Sequence, residues 1–117
     1  MPVIKIKKTL ESAKIPTGKM ESAGYDLYSI NNEPVSIQPG ETKQFDTGIA
    51  MAIPDGYWGG IYARSGIATN KGLRPANCTG VIDPDYRGNI KVALHNDTVK
   101  IQTVNPHSRI AQIVFHK

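Results

Sequence analysis

Hydrophobic and polar residues alternate over short stretches along most of this chain. Residues 3–7 and 35–38 alternate with a period of two, which predicts β-strands. The same reasoning predicts a longer strand at 44–53, interrupted at Gly48. Further strands are predicted at 57–62, 89–96, 99–104 and 110–115, with 89–96 and 99–104 forming a pair.

Glycine and proline separate these apolar runs. The chain contains eleven Gly and eight Pro, and turns are predicted at 39–41 and 54–56. Helical periodicity is nearly absent, apart from one short helical turn predicted at 65–70. Many short strands separated by turns predict an all-β sandwich or barrel with at most one short helix. The length predicts a single domain, residues 1–117.

Residues 80–90 carry the most informative motif. Val81 and Ile82 enter it as strand, 83–88 reads as a turn, and 89–94 leaves as strand, so we expect a β-hairpin. Asp83 at its tip is a candidate base for deprotonating a water molecule, provided that it is partly buried. The alternative is a solvated turn, since Asp, Pro and Gly are typical turn residues.

A second candidate is Arg64-Ser65-Gly66, which follows a predicted strand and opens the predicted helical turn. Backbone amides at such a turn bind phosphate oxygens, and a guanidinium can bind two of them at once. The alternative makes Ser65 a helix N-cap and Gly66 a turn residue, with Arg64 solvated. Asp26 lies upstream between apolar residues, so we expect it to be half-buried.

Four segments together resemble one family. They read AGYDL from Ala23, RSG from Arg64, GVIDPDYRG from Gly80 and RIAQ from Arg109. In this order and spacing they resemble the trimeric dUTPase family, the dUTP diphosphatases, from residue 15 to the last strand. The resemblance implies a distorted jelly-roll-like, β-clip fold. It also implies hydrolysis of dUTP to diphosphate and dUMP, the precursor for thymidylate synthesis, by a homotrimer with interfacial active sites.

The resemblance assigns roles by position. Asp83 would activate the water that attacks the α-phosphorus, whereas Asp85 belongs to the turn. Phosphate would be bound by Arg64, Ser65, Gly66 and Gln112. Uracil and deoxyribose would be bound by Asn77, Gly80, Val81, Ile82, Tyr86 and Lys91. Asn77 has the alternative of a loop cap, and Gly80 that of a turn residue with positive φ.

Two implied features concern the sugar and the metal. The ring of Tyr86 would lie beneath the deoxyribose and exclude a 2′-hydroxyl, which typically discriminates by about two orders of magnitude. Mg²⁺ would be held by the triphosphate and water, with Asp26 nearby and no direct protein ligand. Arg109 would make a supporting ion pair, and Ile110 and Ile113 belong to the core.

The chain departs from the family pattern in two places. Ala63 stands where many relatives have proline. In addition, the family usually ends in a Gly-rich arm resembling RGxGGFGSTG, which the sequence does not show after Phe115. Either the sequence has been shortened from an ordinary dUTPase or the protein is naturally armless. For the chain as it stands we expect a folded core with weak or absent catalysis. A dCTP deaminase of the same fold and a weakly catalytic, dUTPase-like nucleotide-binding regulator remain as alternatives.

Composition adds limits. The net charge is +4, and much of the positive charge lies at Lys5, Lys7, Lys8, Lys14 and Lys19. We interpret the first three as the solvated side of an edge strand. No nucleic-acid-binding motif, membrane-spanning run or signal peptide is predicted. The single Cys78 is interpreted as a small packing residue and fits a reducing compartment. We expect a cytoplasmic protein, or one in the host cytoplasm or nucleus if viral, with structural roles for His95, His107 and His116.

Overall fold

The computed structural model describes residues 3–18 and 22–117; Lys19 lies outside these ranges. Within them the chain forms short strands and one short helix, which confirms the predicted all-β class. The elements are β1 (Lys5–Lys8), β2 (Tyr25–Tyr28), β3 (Val35–Ile37), β4 (Thr42–Asp46), β5 (Ile49–Ala52), β6 (Trp58–Tyr62), α1 (Ser65–Lys71), β7 (Leu73–Pro75), β8 (Gly80–Ile82), β9 (Lys91–Asn96), β10 (Gln102–Val104) and β11 (Arg109–His116).

The described strands pair in four antiparallel sheets, none of them closed into a barrel. The largest has the order β2-β11-β6-β8, a second has the order β4-β9-β7, and two-stranded sheets join β1 with β5 and β10 with β3. Alternate residues of these sheets meet in one apolar cluster, as in a sandwich. Ile110 and Ile113 of β11 are fully buried in it, as predicted.

The predicted hairpin at 81–94 is wrong. β8 pairs with β6, whereas β9 pairs with β4 and β7 in another sheet. The intervening turn therefore passes between two sheets instead of folding one strand onto the next. Ile90 fixes this crossing, because its amide donates to the carbonyl of Ile49 and its carbonyl accepts from the amide of Thr47.

The predicted pair at 89–96 and 99–104 is also wrong, because β10 pairs with β3. Residues 44–53 are divided at the predicted interruption, where Gly48 has a φ of 64°, and β4 and β5 join different sheets. β2 and β7 were not predicted from the alternation.

The surface shows one confirmed interpretation and one wrong one. Lys5, Lys7 and Lys8 are exposed on β1, which pairs only with β5 among the described strands. Cys78 is exposed instead of packed, in a turn where its φ is 64°. No helix in the described ranges is long and apolar enough to span a membrane.

Asn96 is a fully buried amide that joins two of the sheets. Its Nδ2 donates to the carbonyls of Ile37 on β3 and of Lys100, at 2.9 and 2.8 Å. Its Oδ1 accepts from the amide and the hydroxyl of Thr98, at 2.8 and 2.7 Å. Both donors and both acceptor positions of the amide are thus used.

We predict that Asn96→Ala lowers the free energy of unfolding by about 3 kcal/mol, because it removes the four hydrogen bonds of a buried amide, including the buried bond to the carbonyl of Ile37. Urea denaturation measures this effect. Asn32→Ala, at an exposed asparagine, is the matched control and is expected to change stability by less than about 0.5 kcal/mol. Equal effects of the two substitutions would contradict the role of Asn96.

Candidate active site

The register of β11 brings three of the four motifs together. Gln112 lies opposite Asp26 on β2 and opposite Tyr62 on β6. Two residues after Tyr62 the chain reaches Arg64 and enters helix α1. The AGYDL, RSG and RIAQ segments therefore meet at one end of the largest sheet.

The carboxylate of Asp26 binds two arginines. Its Oδ1 accepts a hydrogen bond of 2.8 Å from Arg64 Nε, and its Oδ2 lies 3.8 Å from Arg109 Nη1. The side chains of Asp26 and Arg64 are each 24% exposed, which confirms a half-buried Asp26 and excludes a freely solvated Arg64. The predicted ion pair of Arg109 is also confirmed. The terminal nitrogens of Arg64 have no hydrogen-bond partner in residues 3–18 and 22–117 and remain available for an anion.

Gln112 fixes the backbone before Arg64. Its Nε2 donates to the carbonyl of Ala63 at 2.9 Å. Its Oε1 lies where a Cβ on Gly24 would project, so a larger residue at 24 would displace the end of the Gln112 side chain. The sequence did not reveal this contact, because the two residues are far apart along the chain.

The start of helix α1 is open to solvent. Arg64 is the N-cap residue and no side chain caps the helix, so the N-cap alternative for Ser65 is wrong. Ser65 and Gly66 are exposed, and a Cβ on Gly66 would meet no atom within 4 Å. No packing contact with the described residues requires glycine at 66, so a ligand can approach the backbone there.

Asn77 and Gly80 form a second group, at the β8 edge of the same sheet. A Cβ on Gly80 would lie 3.1 Å from Ile61 Cβ and 3.5 Å from Asn77 Nδ2, and Gly80 has no positive φ. Close packing on β6 therefore requires this glycine, and the turn alternative is wrong. The exposed side chain of Asn77 caps no loop in the described part of the chain.

The turn after β8 presents Asp83 and Tyr86. The Tyr86 hydroxyl donates a hydrogen bond of 2.6 Å to the carbonyl of Asn89. This bond holds the ring over Gly88: a Cβ added to Gly88 would lie 2.8 Å from the hydroxyl oxygen. The residue is still 42% exposed. Asp83 is exposed, unlike the partly buried acid expected, and it lines a cleft with Tyr57, Trp58 and Val81.

Trp58 is the chain's single tryptophan and it stacks on His116, with ring centroids 4.4 Å apart. His116 Nε2 also shares a hydrogen bond of 2.8 Å with the hydroxyl of Tyr62. His95 Nδ1 lies 2.8 Å from Thr42 Oγ1. These contacts agree with structural roles for both histidines.

The predicted site residues form two groups that do not meet within one chain. Asp26, Arg64 and Gln112 line one cleft, whereas Val81 and Asp83 line another. Arg64 follows the end of β6, whereas Asp83 follows β8, whose Ile82 pairs with Gly59 near the start of β6. At about 3.3 Å per residue, the five residues from Gly59 to Arg64 separate the two groups by about 16 Å along the strand.

Lys91 joins neither group. It is exposed at the start of β9, in the other sheet, where it lies opposite Asp46. No group of three or more His, Cys, Asp or Glu that could hold a metal ion occurs in the ranges 3–18 and 22–117. One half of the arrangement thus offers guanidinium and amide groups to an anion, and the other offers a carboxylate beside an aromatic ring.

Comparison with known proteins shows what the chain resembles. Residues 11–117 match the profile of the dUTPase family. The deoxyuridine 5′-triphosphate nucleotidohydrolase of Rickettsia felis is 42% identical over 116 residues, which cover 97% of this chain and 78% of the relative. The enzyme of the same name from Nautilia profundicola is 46% identical over 113 residues, covering 96% and 78%.

Solved structures give the same result. The dUTPase of Staphylococcus bacteriophage 80alpha with dUPNHPP superposes with a TM-score of 0.87 at 26% identity, covering 99% of this chain and 83% of that one. A mutant dUTPase of phage phi11 of S. aureus, described with a structural Mg(II) ion, gives 0.85 at 25% identity, covering 98% and 90%. The jelly-roll-like fold is thereby confirmed, and the chain belongs to the dUTPase family of deoxyuridine 5′-triphosphate nucleotidohydrolases.

Proposed function

We propose that this dUTP diphosphatase acts through two half-sites, one for the phosphates and one for the nucleoside with its attacking water. The observation that carries the proposal is the row formed by Asp26, Gln112 and Tyr62 across three strands, which aims Arg64 at one end of the sheet. The products are dUMP and diphosphate.

The phosphate half-site consists of groups left open in this chain. Arg64 is held through Nε, so its terminal nitrogens can bind two phosphate oxygens in a fixed plane. The Ser65 hydroxyl and the backbone at Gly66 are exposed beside it and add donors. Gln112 holds the carbonyl of Ala63, the residue before Arg64. By the family resemblance, Gln112 would also contact the α-phosphate region.

The nucleoside half-site is the β8 edge and the turn that follows it. The amide of Asn77 provides a donor and an acceptor for the uracil edge, together with backbone groups from Gly80 to Ile82. Val81 is 60% exposed, which leaves an apolar surface for a flat ring. Tyr86 would lie against the deoxyribose, with its ring orientation fixed by the bond to Asn89.

Asp83 is proposed as the general base. Its carboxylate would take a proton from the water that attacks the α-phosphorus. The bond between the α-phosphorus and the oxygen that bridges to the β-phosphorus would break, and diphosphate would leave with that oxygen. The acid is exposed in a single chain, so its desolvation would come from substrate and from a second copy.

Magnesium fits this site through water. Asp26, the one carboxylate that the described residues contribute to the phosphate half-site, already accepts a hydrogen bond from Arg64 and lies near Arg109, a poor arrangement for direct ligation. Asp26 would therefore hold a hydrated ion that the triphosphate oxygens coordinate. Bound there, Mg²⁺ would neutralise phosphate charge.

Assembly as a homotrimer would join the half-sites. Since the Asp83 turn and Arg64 lie toward opposite ends of the paired strands β8 and β6 and line separate clefts, a second copy would bring the Asp83 turn to Arg64. A closed ring of three copies would repeat the same contact three times. Lys91, the effect of the Gly-rich arm and the cellular compartment stay predictions.

Asp83→Asn is expected to lower kcat about 10²- to 10⁴-fold, because the amide cannot accept the proton from water. Steady-state release of diphosphate from dUTP measures the effect. Asp85→Asn, two residues along the same turn, is the matched control and is expected to stay within about three-fold of the unmodified protein. Equal losses in both variants would contradict the assignment of the base.

Mixing two inactive variants tests whether the half-sites come from different chains. Arg64→Ala and Asp83→Asn are unfolded together in equal amounts and refolded. In randomly mixed closed rings about one quarter of the sites would combine an intact Arg64 with an intact Asp83, so about one quarter of the activity should return. Recovery at the level of the separately refolded variants would show that one chain supplies both groups.

Tyr86→Ala is expected to lower the preference for dUTP over UTP by about 10²-fold, because the ring no longer excludes the 2′-hydroxyl. Tyr86→Phe keeps the ring and loses only the bond to Asn89, so it should retain most of the preference. The ratio of kcat/KM for the two nucleotides measures both effects. An unchanged ratio in Tyr86→Ala would remove Tyr86 from the sugar site.

A further inference from the structure

A second cleft lies on the other side of the two arginines that bind Asp26. We call it the cationic cleft and define it by Lys14, Tyr28, Arg64, Lys71, His107 and Arg109. Its volume is about 580 Å³, ample for a small anion. None of the roles proposed above uses Lys14, Lys71 or His107.

The charge of this cleft is uncompensated. Four cationic side chains line it and no carboxylate does so in the described ranges. Among the described residues, Asp26 is the one carboxylate that pairs with any of these four side chains; it lies in the neighbouring cleft and is shared by Arg64 and Arg109. Within the described residues, four cations against this carboxylate leave an excess of three positive charges, which attracts a multivalent anion.

Several of these side chains are held in place without an anionic partner. Lys14 Nζ lies 5.3 Å from the centre of the Tyr28 ring, and the Tyr28 hydroxyl is hydrogen-bonded to Thr17 at 2.6 Å. The buried Nδ1 of His107 has no hydrogen-bond partner in the described part of the chain, and this residue has a φ of 56°.

The two clefts share a wall. Arg64 and Arg109 line both the cationic cleft and the phosphate cleft that contains Asp26 and Gln112. A phosphate group that leaves the phosphate cleft can therefore move across these guanidinium groups without first losing all contact with positive charge.

We propose that the cationic cleft is a second anion site that binds inorganic diphosphate after it leaves the phosphate cleft. The identity of the anion rests on the proposed function, because diphosphate is the product; the existence of the site rests on the charges alone. The step is a transfer of ionic contacts from one face of the arginine pair to the other, and no covalent bond changes.

The test separates the two clefts by filling the first. The protein is saturated with a non-hydrolysable imido analogue of dUTP, and inorganic diphosphate is then titrated in by calorimetry. We expect one further diphosphate per chain to bind. The double variant Lys14→Gln/Lys71→Gln should raise its Kd about five- to ten-fold, because it removes two of the four cationic side chains that line the cleft.

Lys8→Gln is the matched control, because Lys8 is equally exposed and lines neither cleft. It should leave the diphosphate Kd unchanged, and all variants should retain the affinity for the analogue and the initial rate of dUTP hydrolysis. Absence of diphosphate binding to the saturated protein would overturn the proposal. An equal Kd in the double variant and the control would overturn it as well.

Failure of the proposed function has a different signature. If the protein neither binds the analogue nor hydrolyses dUTP, diphosphate is titrated into the protein alone. A Kd that still depends on Lys14 and Lys71 would retain the anion site and remove its link to the product. A Kd that does not depend on them would remove both.

Discussion

The pairing register of β11 is the constraint on which the rest of this molecule depends. This strand lies between β2 and β6, and its inward side chains Ile110 and Ile113 are fully buried. A shift by one residue would turn these side chains outward and move Gln112 into the core. The apolar core therefore fixes the position of the polar row formed by Asp26, Gln112 and Tyr62, and stability and site geometry depend on one arrangement of hydrogen bonds.

Alternation along the sequence was sufficient to predict most strands but not their partners. The turn from Asp83 to Gly88 has the composition of a hairpin, yet it leads from one sheet to another. The reason is tertiary: Ile90 bonds to Ile49 and Thr47, and Asn96 sends the following chain toward β3. Bonds between residues more than 40 positions apart leave no periodic signal in a single sequence.

The candidate site shows the same division. The motifs identified Asp26, Arg64 and Gln112, and the structure brings all three to one place. The motifs did not show that Arg64 is held through Nε, that Gln112 binds the carbonyl of Ala63, or that Asp83 lies at the far edge of the sheet. These facts depend on which strands are neighbours. The packing of Gly80 against Ile61 accounts for that glycine, whereas the open surroundings of Gly66 do not explain that one.

The stacking of Trp58 on His116 gives the protein an internal optical reporter. Since the chain has one tryptophan, all of its indole emission arises beside the turn that carries Asp83. A nucleotide base bound against that turn, or a second copy of the chain covering this face, would change the polarity around the indole and shift the wavelength of its emission maximum. Ligand occupancy and association can thus be followed in the unlabelled molecule without a coupled assay.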